Sequence, residues 1–155
     1  MLLFLLEGEN MSNPYLEMRE KQQTEINAFP LAFAFSKEQF VRGMMSLGLS
    51  PEDTDKIYRL GDTGGFYRRS DADALHEMLD RHEQEHLAAI EADKGDGGYT
   101  YHMFCEELAN HEYGYTRDAE PALEALGLTS AEIEKNPKLL SAYGRAIKAQ
   151  SSDPF

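Results

Sequence analysis

Tryptophan is absent from this chain of 155 residues, and cysteine occurs once, at Cys105. A single thiol excludes an intrachain disulfide and a cysteine-based metal cage within one subunit. It gives no sign of an oxidising compartment, so a cytoplasmic protein is expected. Basic residues are also scarce: 15 Lys plus Arg stand against 28 Asp plus Glu, for a formal net charge of -13. That field disfavours direct binding to nucleic-acid phosphates and favours a protein partner with a basic surface. The groove of a nucleic-acid-binding protein is one such surface, which is the physical basis for reading the chain as a nucleic-acid mimic. A membrane-spanning hydrophobic run is missing as well. The opening Met1-Leu2-Leu3-Phe4-Leu5-Leu6 is far too short to cross a bilayer, and neither a basic region nor a small-residue cleavage site accompanies it. No membrane association is expected. Residues 1–12 read as a disordered extension and 151–155 as a loose tail.

What is present suffices for one core. Hydrophobic residues make up 41% of the chain, and eight Phe and eight Tyr supply large packing groups. One α+β domain is expected over 13–150, mostly helical with a small antiparallel sheet or hairpin. Asn13-Pro14 is a cap followed by a first-turn proline, and Tyr15, Met18, Gln22 and Ile26 follow at helical spacing. Leu31, Phe33 and Phe35 alternate with Ala32 and Ala34, as in a strand with one bulky and one tight face. Ser36-Lys37-Glu38-Gln39 is a capping box for a helix burying Phe40, Val41, Met44 and Leu47 up to Gly48. Ser50-Pro51-Glu52-Asp53 predicts another short helix. Ile57–Leu60, a glycine-rich turn and Phe66–Arg69 read as a hairpin, or as a helix end feeding a strand. The turn glycines lack the Gly-Lys-Ser/Thr of a phosphate loop. Helices are expected at about 71–91, 99–112, 118–125, 130–135 and 137–149, the last burying Leu139, Leu140, Tyr143 and Ile147. Leu47-Gly48-Leu49-Ser50 and Leu126-Gly127-Leu128-Thr129 echo each other, which points to shared turn chemistry.

His82-Glu83-Gln84-Glu85-His86 matches H-E-x-x-H inside the longest expected helix. Residues four apart share a helix face, so both imidazoles are placed to grip one zinc ion, with Glu83 as general base toward metal-bound water. Glu107 and His111, also four apart, are the candidate further ligands, with Glu106 less favoured. The opposing reading starts from the same helix. Leu75, Leu79, His82, His86 and Ile90 form one apolar stripe, on which histidines serve the fold as hydrogen-bonded core residues. On that reading there is no cofactor and no catalytic residue.

Arg68 and Arg69, with Tyr67 beside them and Arg59, Tyr58 and Phe66 nearby, form a small basic and aromatic island. This is hot-spot chemistry for protein contacts. Arg68, Arg69 and Tyr67 are therefore candidate partner-binding residues, together with Glu77, Asp80 and Glu85 on the acidic long helix. Cys105 reads as a core thiol despite His102 three residues away.

Asn27–Phe35, Asp53–Ile57 and Glu107–Tyr113 carry a resemblance to a group of short uncharacterised acidic proteins of phages and mobile elements of gut Firmicutes, over roughly Tyr15 to Gln150. The resemblance implies no activity and transfers no functional residue. It implies a small protein directed at a host or its defences. General acidity is also similar to that of DNA-mimic antirestriction proteins, with no shared motif. The leading expectation is a non-catalytic protein-binding module, acting as an inhibitor of a host nucleic-acid-binding enzyme. The alternative is a zinc-dependent hydrolase.

Overall fold

The computed structural model describes residues 12–94 and 98–151. Among these it shows the expected α+β fold: eight α-helices and one three-stranded antiparallel sheet. The expected extension and tail lie outside the described residues, except that Ser12 is described and Ser151 ends the last helix. Contacts divide the chain into two compact units. One is Lys21–Glu85; the other joins the residues up to Glu20 with those from His86 onward. The boundaries fall inside two helices, α1 (Pro14–Ala28) and α3 (Ala72–Ala92).

In the Lys21–Glu85 unit, β1 (Ala32–Phe33), β2 (Ile57–Leu60) and β3 (Gly65–Arg68) form a sheet in the order β1-β3-β2. The hairpin reading is correct: Tyr58 pairs with Tyr67 and Arg59 with Phe66. Helix α2 (Lys37–Ser46) covers one face. Ser36 accepts from the Gln39 backbone as expected, but the Gln39 side chain accepts from Phe35 N rather than completing the box. Ala32, Met44, Leu47 and Phe66 form the core of this unit. The first strand is shorter than its alternation suggests, and its tight side is the buried one. Ala32 is buried where Gly43 and the Phe66 ring press close, whereas Phe33 and Phe35 are exposed. The short helix expected after Ser50 is only a turn held by Asp53, followed by a 3-10 turn at Thr54–Lys56.

In the other unit, α4 (Tyr99–Asn110) packs against α8 (Pro137–Ser151), with α6 (Glu120–Leu126) and α7 (Ser130–Lys135) alongside. A further short helix, α5 (Tyr113–Thr116), follows α4. Met103, Phe104, Leu108, Leu123 and Ile133 are buried here. Burying each such side chain contributes about 1.5–3 kcal/mol relative to leaving it exposed. Asn136 caps α8 as expected, its side chain accepting from the Lys138 and Leu139 backbones. Leu140 departs from expectation and is exposed. Ala142 and Ala146 are buried in its place, because small side chains let α8 approach α4 closely.

Candidate functional site

Helix α1 carries Tyr15, Arg19, Gln22 and Glu25 at intervals of four, three and three, which places them on one stripe. Helix α3 carries two adjacent pairs, Arg81 with Glu85 and His82 with His86, each four residues apart. These polar stripes supply two separate networks, one in each unit.

Within Lys21–Glu85, the buried His82 meets Glu25 through Nε2, at 2.9 Å. Arg81 donates to both oxygens of Glu25, at 3.3 and 2.7 Å, and to Glu85 at 3.1 Å. Gln22 donates to Glu85 and to the His82 carbonyl, and Lys21 adds a contact to Glu85 at 3.4 Å. Arg81 and then His82 hold the Glu25 carboxyl down to about 2. Gln22, then Arg81 and Lys21, lower that of Glu85. One ligand atom each from Glu25, His82 and Glu85 lie within 4.8 Å of one another. A nitrogen and two carboxylates are a donor set that suits zinc. The fit is poor as it stands. A metal ion would have to displace the His82–Glu25 hydrogen bond and compete with Arg81 for both carboxylates.

In the other unit, His86 uses Nδ1 with the Tyr99 hydroxyl, at 2.6 Å. Tyr15 stands edge-on to Tyr99 and donates to Glu107 at 2.5 Å. Arg19 donates to the same Glu107 oxygen at 2.7 Å, and His111 lies 3.7 Å from the other. Burial, reinforced by Glu107, pushes the Tyr15 hydroxyl far up, and burial pushes Tyr99 up to about 12. Both hydroxyls therefore stay protonated across the physiological range, and Tyr15 donates to Glu107. Cys105 is half-buried and hydrogen-bonded to Tyr101, and burial raises its thiol, which disfavours the thiolate form.

The residues of the zinc expectation are thus held by different partners: His82 by Glu25, His86 by Tyr99, and Glu107 by Tyr15 and Arg19. Among the described residues no three-ligand group includes His86, Glu107 or His111. Glu106 accepts from Asn13, at 3.0 Å. Glu83 is exposed on α3.

The candidate partner-binding residues divide in the same way. Tyr67 is buried against Tyr58, so it does not offer itself to a partner. Arg68 is tied to Asp71 and the Leu47 carbonyl. Glu85 is taken up internally. Arg69, Glu77 and Asp80 are exposed. Sequence reasoning missed Glu25, Arg81, Tyr15, Arg19 and Tyr99. The polar stripe of α1 was the signal for three of them.

Among the described residues, no helix is long and apolar enough to cross a membrane. A family model described as a family of unknown function (DUF7659) matches residues 14–149. No curated protein and no solved structure matches the chain.

Proposed function

The chain belongs to that family of unknown function, and we propose that it is a non-catalytic protein-binding module whose acidic helix face engages a basic surface on its partner. One observation supports this reading. Asp73, Glu77, Asp80 and Glu83 are all exposed on α3, spaced four, three and three apart. None has an ion partner among the described residues, whereas Glu25 and Glu85 in the same unit do. Unneutralised carboxylates on a regular helix repel one another, and a basic partner relieves that repulsion.

The density of charge limits the finer reading. Ten residues of helix rise about 15 Å, so these four charges are sparser than the one charge per ~1.7 Å of duplex DNA. This helix alone is not a copy of a DNA backbone. An inhibitor of a host nucleic-acid-binding enzyme, carried by a phage or mobile element, is the more specific form of the proposal. The zinc-hydrolase alternative has less support, because each imidazole already has a protein partner.

The test compares the wild-type chain with a variant carrying Asp73→Asn, Glu77→Gln, Asp80→Asn and Glu83→Gln. A basic partner captured by the wild type should be lost from the variant and should dissociate as salt rises. Competition by duplex DNA for the same partner would support the inhibitor form. Equal capture by the variant would overturn the proposal.

A further inference from the structure

The sheet of the Lys21–Glu85 unit has two unlike faces. Ala32, Phe66 and Arg59 share one row of the strand register, and α2 packs on that face over Ala32 and Phe66. Phe33, Gly65 and Leu60 share the next row, so their side chains leave the opposite face. Tyr58, two residues before Leu60, leaves it too. Phe33 and Phe35 rest directly on the hairpin backbone. A Cβ on Gly65 would lie 2.8 Å from the Phe33 ring, and one on Gly64 would lie 2.6 Å from the Phe35 ring. The two glycines make room for the rings, yet Phe33 is 50% exposed, Phe35 78% and Tyr58 43%.

At about 150–250 Å² for a whole aromatic side chain, the exposed parts of these three come to roughly 250–450 Å². An exposed apolar patch of that extent marks an interaction site. A standard interface buries about 800 Å² on each partner, about two-thirds of it apolar in homodimers. Three side chains therefore supply about half or more of the apolar area that one partner needs.

Charge selects the occupant. With a net charge of -13, two copies of the chain repel wherever acid meets acid. None of the three strands contains an acid. Arg69, just past β3, lies over the Tyr58 ring at 4.6 Å. Asp62 stands in the turn between β2 and β3, at the other end of the hairpin. Both are exposed; Asp62 has no partner, and Arg69 meets no acid, among the described residues. A two-fold axis lying across the strands brings the Arg69 end of each copy to the Asp62 end of the other. An axis along the strands would set like charge over like, which costs affinity.

We propose that this face joins two copies of the chain, sheet against sheet, about a two-fold axis crossing the strands. Phe33 packs at the centre, and Phe35 of each copy meets the Tyr58 end of the other. Arg69 and Asp62 fix the register. The same patch serves both copies, so the assembly closes at two. The contact lies apart from the acids of α3 and does not depend on the basic-partner proposal.

The test is sedimentation of the full chain over a range of concentrations. The mass should rise from 17.5 kDa to twice that value, with a dissociation constant on the order of micromolar. Phe35→Asp should weaken pairing by about tenfold or more, because it removes an apolar contact and adds an acid to an acidic molecule. Asp62→Arg should weaken it by about tenfold, and adding Arg69→Glu should bring it back to within about threefold of the wild type. Asp62 has no intramolecular partner, so its variant separates pairing from folding, and the melting midpoint of the dilute chain should not move. Three results would overturn the proposal: the mass of a single chain at every concentration, assemblies larger than two, or undiminished pairing in the Phe35 or Asp62 variant. Failure of the charge exchange to restore pairing would overturn the crosswise axis.

Discussion

Glu25 shows at the scale of one residue how a partly exposed carboxylate becomes tied to the fold. Arg81 and His82 both stabilise its charged form, and its carboxyl falls from the usual 4.5 to about 2. The folded value lies below the unfolded one. Its contribution to stability is therefore complete above about pH 4.5 and is lost as pH falls toward 2. Glu25→Gln should lower the melting midpoint at neutral pH, and the gap from the wild type should close across that acid window. Thermal melts at several pH values would check this. A gap that persists unchanged at the acid end would mean that shape, not charge, accounts for the effect. Because the groups are partly exposed, the gap should be small and should shrink with salt.

At the scale of elements, two helical glycines make opposite predictions. In α2, a Cβ on Gly43 would lie 2.8 Å from the Phe66 ring and 3.0 Å from the Ala32 Cβ. Gly43→Val should therefore destabilise by about 1–3 kcal/mol through overpacking between helix and sheet. In α8, Gly144 has open space around its Cβ position, so Gly144→Ala should stabilise by up to about 1 kcal/mol through helix propensity. Denaturant unfolding of both variants checks the pair. The same elements show what was legible in advance. Leu47-Gly48-Leu49 and Leu126-Gly127-Leu128 both end helices with glycine in the left-handed region. Each closes with the same two backbone bonds, Gly48 to Met45 with Leu49 to Met44, and Gly127 to Glu124 with Leu128 to Leu123. Such signals are local, so the sequence carries them. Leu140 was misplaced because an apolar residue near a helical stripe faces the core only if the neighbouring helix lies on that side. The histidine pair was legible as two residues on one helix, but its partners were not. Glu25 is 57 residues from His82, and Tyr99 is 13 from His86. Spacing along one helix does not encode what a separate element brings to it.

At the scale of the whole molecule, the charge of -13 must be weighed against the local ion pairs that partly offset it. Close pairs such as Arg81–Glu25 at 2.7 Å and Arg19–Glu107 at 2.7 Å act over less than a screening length at any ordinary salt. Repulsion among the remaining acids acts over longer distances. The screening length falls from about 30 Å at ~0.01 M salt to about 8 Å at ~0.15 M, so salt weakens the repulsion more than it weakens the contacts. The melting midpoint should therefore rise as sodium chloride is raised across that range, although this variable usually weakens ion-paired folds. Calorimetry at fixed pH would measure it. A midpoint that falls with salt would mean that the local pairs outweigh the net charge. In that case relief of self-repulsion could not be what drives the acidic α3 face toward a basic partner.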